Sequence, residues 1–189
     1  MNAHSSSPTQ TSLVTLQAHI LEHQSRFPQS SGTLSWILSA LSISAKIIAN
    51  HVRRARLDDV LGSIGNENVQ GEQQQKLDVI ANEVLLRTLG KREGVAVVAS
   101  EENEEPVMLR QVGDGKYCVL FDPLDGSSNL DVCGGVGTIF SILSYDNPEH
   151  SENGWLQAGA KQVAAGYVLY GSSTVLVMSI GMGVDMFVL

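Results

Sequence analysis

The chain has 189 residues, 43% of them hydrophobic, so it is long enough for one ordinary domain and apolar enough to fill a core, which excludes wholesale disorder. Its 20 acidic and 12 basic residues give a formal net charge of -8, which repels polyanions and argues against nucleic acid as a partner. The one basic cluster, Arg53, Arg54 and Arg56, closes a helical pattern, where the macrodipole favours cations.

Residues 1–11 are polar and Ser-rich and read as a disordered tail, leaving 12–189 as one domain. Apolar residues recur at helical spacing over 12–26 and again over 34–57, where Leu34, Ile37, Leu38, Leu41, Ala45 and Ile48 mark one stripe. The polar stretch 62–71 is broken by three glycines, and a third helix follows through Leu77, Ile80, Ala81, Val84, Leu85 and Leu89 to about Gly90. Beyond it the texture turns to short β-prone runs at 95–99, 116–121, 136–145, 162–170, 173–180 and 184–189. Helices first and strands afterwards predict an α+β fold, with layered helices packed on a mixed β-sheet. The final run alternates like a strand with no polar tail behind it, so the sequence is expected to be cut from a longer protein.

Cys118 and Cys133 match no zinc or redox spacing and read as reduced, semi-buried thiols. The start carries no secretory pattern, and the longest apolar tract, 174–184, is too short to span a bilayer. A cytoplasmic protein with no membrane partner is the simplest expectation.

The sharpest chemical feature is Phe121-Asp122-Pro123-Leu124-Asp125-Gly126-Ser127-Ser128-Asn129, directly after a β-prone run. Two carboxylates three residues apart, held by a proline and followed by glycine, suit a hard cation such as Mg²⁺, which takes oxygen ligands and shares them with phosphate and water. The backbone N–H groups of Gly126, Ser127 and Ser128 offer a phosphate nest. The same residues also fit a plain Asp-Gly turn. A calcium loop does not fit, because Leu124 and Cys133 stand at ligand positions. No P-loop is present, and neither Gly134-Gly135-Val136-Gly137 nor Gly181-Met182-Gly183 completes a dinucleotide fingerprint.

A second acidic run, Ser100-Glu101-Glu102-Asn103-Glu104-Glu105, also follows a β-prone run. Alone it reads as a solvated loop. If the two runs are neighbouring strands with the same direction, both carboxylate groups meet at one sheet edge, and their repulsion calls for a cation. A third element, Gly71-Glu72 through Lys76-Leu77-Asp78, is placed at the start of the third helix. Its acids suit the helix dipole, and Asp78, beside core-facing Leu77, could instead point into a site.

Together these residues resemble class I fructose-1,6-bisphosphatase. The matching text runs from Asn68-Val69-Gln70-Gly71-Glu72 through Ala99-Ser100-Glu101-Glu102 and Phe121 to Asn129. It continues in Val136-Gly137-Thr138-Ile139-Phe140-Ser141-Ile142 and in Gln162-Val163-Ala164-Ala165-Gly166-Tyr167. Inositol monophosphatases share the Asp-Pro-Leu-Asp-Gly core but not typically the extension after it or the Val-Ala-Ala-Gly-Tyr block. The resemblance implies the amino-terminal half of a sugar-phosphatase fold, truncated before a carboxy-terminal domain, and hydrolysis of the 1-phosphate of fructose 1,6-bisphosphate with Mg²⁺, for which Mn²⁺ or Zn²⁺ can substitute. It implies metal ligation by Glu101, Asp122, Asp125 and the Leu124 carbonyl, with Glu72 at a weaker metal site. Asp125, Gly126, Ser127 and Ser128 would bind the phosphate, and Asp78 and Glu102 would orient and deprotonate the attacking water. A homotetramer and a small-molecule sugar bisphosphate are the implied partners.

The family's AMP site would fall on Gly32, Leu34, Ser35, Lys116 and Tyr117. Here the turn reads Ser31-Gly32-Thr33-Leu34-Ser35 rather than Thr-Gly-Glu-Leu-Thr, and Ser144 stands where an Arg is expected, which argues against AMP control. The loop 146–159 has none of the regulatory cysteines of the plastid type, and Ala158 replaces a usual Pro. Family members continue into a region supplying another metal-binding Glu and most sugar contacts, so a non-catalytic fragment or assembly module is the competing expectation, and an inositol-phosphate phosphatase a third.

Overall fold

A computed structural model describes residues 14–25, 31–67, 71, 73–111, 113–145 and 154–189. The first helix, α1 (Leu16–Ser25), begins where the Thr15 hydroxyl accepts the Ala18 N–H at 3.1 Å, and it buries Leu16 and Ile20, four residues apart on one face. The expected tail and the ends of the expected first helix lie outside the described residues.

Helix α2 (Thr33–Arg54) follows Gly32, whose φ of 73° suits a residue without Cβ. The predicted stripe is buried as expected, with Ile37, Leu38, Leu41, Ala45 and Ile48 in the core and Leu34 packed against it. At 22 residues α2 is long and apolar enough to cross a bilayer, but half of it is buried inside the protein, which accounts for its apolar character. The basic cluster is spent on structure. Arg53 Nη2 donates to Thr174 Oγ1 at 2.7 Å, Arg54 pairs with Asp58 at 3.0 Å, and Arg56 Nη2 donates to the Asp131 carbonyl at 2.8 Å.

The polar, glycine-broken stretch after α2, for which no strand is predicted, forms a ribbon of β1 (Ser63–Glu67) and β2 (Gln73–Gln75), paired antiparallel with a register shift. Its residues carry no alternation of apolar and polar side chains, so periodicity could not reveal it. The third helix, α3 (Lys76–Gly90), begins after β2 rather than at Gly71, and buries Leu77, Asp78, Ala81, Leu85 and Leu89.

Seven further strands make one sheet: β3 (Val95–Ser100), β4 (Val107–Met108), β5 (Tyr117–Asp125), β6 (Val136–Ser144), β7 (Gln162–Tyr170), β8 (Thr174–Ser179) and β9 (Asp185–Val188). Their order is β4-β3-β5-β6-β7-β8-β9, with β3 and β5 parallel and every other pair antiparallel. The mixed sheet and α+β layering are as the sequence predicts. One face buries Val95, Val98, Val119, Phe121, Phe140, Ile142, Val168, Leu176 and Met178 against the helices.

Among the described residues the opposite face is closed at one end, by Ala96, Val97, Cys118, Leu143 and Tyr145 with Trp155 packed on them. Elsewhere it forms a trough of about 710 Å³ floored by Ile139, Ala165, Tyr167 and Val177, which reaches Glu101 and Asp122 at its rim. The thiols differ from the semi-buried expectation: Cys118 is buried and Cys133 is exposed on the turn after β5, and both are free.

Candidate metal and phosphate site

Strands β3 and β5 run side by side in the same direction, with Ser100 opposite Phe121, so they deliver their following residues together. The Glu101 N–H donates to the Phe121 carbonyl at 3.1 Å, which carries the parallel ladder one residue past the strand end. Glu101 and Asp122 therefore emerge next to each other, as strand direction alone predicts.

Strand β5 runs on through the Asp-Pro-Leu-Asp segment instead of ending in a turn at Phe121. Asp122 pairs with Ile139 and Asp125 with Gly137, so three steps on β5 match two on β6. In a regular strand, residues three apart face opposite sides; one extra residue restores them to the same side. Pro123 sits in this bulge, where its missing N–H costs no ladder bond. The Asp122 Oδ1 accepts the Leu124 N–H at 2.9 Å, and the buried Thr138 hydroxyl donates to the Pro123 carbonyl at 2.8 Å while lying 2.7 Å from the Tyr170 hydroxyl.

Gly126, with φ 76°, ends the strand and starts a short 3-10 helix, Ser127–Val132. A left-handed residue followed by helical ones is a backbone sequence that can form an anion nest, for which Gly126, Ser127 and Ser128 offer the N–H groups. Ser127 Oγ also donates to Asp78 Oδ2 at 3.1 Å. Asp78 is 3% exposed, its Oδ2 accepts the Gln75 N–H at 2.7 Å, and its Oδ1 is buried without a partner.

The electrostatics report the crowding. Asp122 is pushed up to about 7, by burial first and then by Glu101, with a smaller push from Asp125. Asp78 is pushed up to about 6, chiefly by burial, partly offset by its bonds to Gln75 and Ser127, with Glu102 and Glu101 raising it further. Glu102 is held by Gln74 Nε2, 2.5 Å from its Oε2. Among the described residues no Lys or Arg forms an ion pair with any of these acids.

The structure thus brings together Glu101, Glu102, Asp122, Asp125, Asp78 and the Gly126–Ser128 turn. Glu72 lies outside the described residues. Glu101 lies close enough to hydrogen-bond Asp122, although among the described residues no three of these acids bring carboxylate oxygens within 4.8 Å of one another. An all-oxygen donor set, raised carboxyl pKa values and the orphaned Asp78 Oδ1 fit a hard divalent ion and its water.

The two segments expected at the AMP site both meet Gly94. Gly94 lies against Thr33, beside Gly32, Leu34 and Ser35, and its carbonyl accepts the N–H groups of Lys116 and Tyr117 at 3.0 Å each. Ser144 is the direct partner of Tyr117 across β5 and β6.

Sequence reasoning missed Gln74, which positions Glu102, and the Thr138–Tyr170 pair behind Pro123; no sequence motif announces either. It also missed the Asn82 amide, which donates to Asn103 Oδ1 at 2.9 Å and ties the acidic loop to α3.

The model of the fructose-1,6-bisphosphatase amino-terminal domain matches residues 14–189. The chain belongs to the fructose-1,6-bisphosphatase family. It is 49% identical over 174 residues to a class 1 fructose-1,6-bisphosphatase of a Sulfurihydrogenibium species, covering 92% of this chain and 53% of that protein. It is 47% identical over 178 residues to the class 1 enzyme of Chlorobium phaeovibrioides, covering 93% and 54%. The crystal structure of Leishmania major fructose-1,6-bisphosphatase in holo form superposes with a TM-score of 0.84 at 34% identity, over 93% of this chain and 55% of that one. The chain spans about half the length of the relatives it matches.

Proposed function

We propose that the chain carries the metal-binding and phosphate-binding part of a magnesium-dependent phosphatase that removes the 1-phosphate of fructose 1,6-bisphosphate in the cytoplasm, in a homotetramer. The observation that carries this reading is the convergence of Glu101, Glu102, Asp122, Asp125 and Asp78 at the shared end of β3 and β5, with Asp122 raised to about 7 by burial and its neighbours.

Glu101, Asp122, Asp125 and the Leu124 carbonyl would hold Mg²⁺, and Glu72 a further ion. Bound there, Mg²⁺ would lower the pKa of a ligated water and neutralise charge on the phosphoryl group. Asp125 and the turn of Gly126, Ser127 and Ser128 fix the phosphate. Asp78 and Glu102 orient the attacking water, and the open Oδ1 of Asp78 accepts its proton; a carboxyl near 6 is suited to that exchange around neutral pH. AMP control forms no part of this reading, since Ser144 supplies no cation opposite Tyr117.

The trough that the described residues leave open on this sheet face favours a second reading, in which the chain holds the metal but needs further protein for turnover. Phosphate release from fructose 1,6-bisphosphate with Mg²⁺ separates the two. Release that is lost in Asp122→Asn and Asp125→Asn supports a self-sufficient enzyme; Mg²⁺ binding without release supports the second reading; neither binding nor release refutes both. Faster hydrolysis of inositol monophosphate than of fructose bisphosphate would favour an inositol phosphatase.

A further inference from the structure

Far from the acidic pocket, α1 and the edge strand β9 bring together three residues that the phosphatase reading does not use. His19 and His23 stand four apart on α1, on one face of the helix, and Asp185 opens β9. Their candidate ligand atoms lie within 4.8 Å of one another, and among the described residues this is the group of histidine, cysteine and carboxylate side chains gathered so closely.

Two details distinguish the cluster from a chance surface contact. His19 Nε2 approaches Asp185 Oδ2 to 3.1 Å without the alignment of a hydrogen bond, and His23 Nδ1 is buried with no partner at all. Buried polar atoms are seldom left unsatisfied, and two in adjacent imidazoles need a common explanation. The rings are also held in place. Phe187, two residues along β9 from Asp185, meets His19 edge-on at 5.2 Å between centroids, and the two imidazoles lie 4.3 Å apart. Leu16 and Ile20 anchor the same side of α1 in the core.

A simple ion pair between His19 and Asp185 leaves the buried His23 Nδ1 unexplained. A metal accepts a lone pair from each imidazole and from the carboxylate, and so accounts for all three. Paired histidines four apart on a helix, completed by a carboxylate, form a three-ligand set that leaves one position for water. Ligands about 2.1 Å from a tetrahedral metal lie about 3.4 Å from each other. The His19 to Asp185 separation already matches, and small imidazole rotations would draw in His23.

We propose that His19, His23 and Asp185 bind a divalent transition-metal ion of the Zn²⁺ class, tying the first helix to the edge strand of the sheet. Nitrogen donors select against Mg²⁺, which prefers an all-oxygen shell, so this site and the acidic pocket sort different ions.

Titration of the metal-free 189-residue chain with Co²⁺ in excess Mg²⁺ tests the proposal. The expected result is visible d–d absorption saturating at one Co²⁺ per chain, displaced by Zn²⁺, abolished in His23→Gln and in Asp185→Asn, and retained in Asp122→Asn. With the acidic pocket held by the same excess of Mg²⁺, Zn²⁺ should raise the melting temperature of the parent chain and leave both site variants unmoved. Asp185→Asn serves as the second variant if His23→Gln folds poorly. No absorption, absorption that survives both site substitutions, or absorption lost in Asp122→Asn overturns the proposal and leaves the ion pair.

Discussion

Ser127 Oγ donates to Asp78 Oδ2 across 3.1 Å, joining the turn after β5 to the first turn of α3. Through this bond the residues that offer N–H groups to an anion share a fixed spacing with the carboxylate placed to handle a water. The bond also opposes the burial that raises Asp78. Ser127→Ala should cost about 1–2 kcal/mol in urea unfolding at pH 8, where Asp78 is ionised, and less at pH 5. An equal loss at both pH values would contradict the stated role.

Without metal, the acidic pocket works against the fold at high pH. Asp122 rises from 3.8 to about 7, so between about pH 4 and 7 the native state holds more protons than the unfolded chain, and its stability falls as pH rises. Asn at position 122 keeps an oxygen for the Leu124 N–H and removes the charge. Asp122→Asn should therefore raise the melting temperature in EDTA at pH 8 by about 2–4 °C, with little change at pH 4. A lower melting temperature at pH 8 would count against the electrostatic account. Added Mg²⁺ should stabilise the parent chain and not this variant.

Gly166 marks the tightest crossing in the sheet. A Cβ there would sit 2.4 Å from the Val177 carbonyl oxygen and 2.8 Å from Phe140 Cζ. Backbone on one side and a core ring on the other leave no room to yield, so Gly166→Ala should destabilise by about 3 kcal/mol, measured by urea unfolding. A change below about 0.5 kcal/mol would show that β7 and β8 are not packed as described.

The two thiols should react very differently. Burial pushes Cys118 up to about 12, whereas Cys133 is exposed. A thiol reagent should modify one cysteine in the native chain and both in guanidinium chloride, and mass mapping should place the first on Cys133.

The parts of this architecture legible in advance were those set by periodicity and strand direction. The α2 stripe was readable because its apolar residues repeat every three or four positions, and the meeting of Glu101 with Asp122 because two β-prone runs each end in carboxylates. The bulge at Pro123 was not readable. It depends on β6 offering two residues against three, a relation between segments rather than a property of either. Gln74 was hidden for the same reason, since its place beside Glu102 exists only once β2 and the acidic loop are assembled. His19, His23 and Asp185 drew no notice because the first two lie near one end of the chain and the third near the other.

Binding of Mn²⁺ to the metal-free chain, followed by the loss of its free-ion electron paramagnetic resonance signal, tests most directly whether the ends of β3 and β5 form a cation site. The account predicts saturable binding that excess Mg²⁺ displaces, unchanged in His23→Gln and lost in an Asp122→Asn, Asp125→Asn double variant. Mn²⁺ that stays free at millimolar concentration, or that binds the double variant as well as the parent, would contradict it.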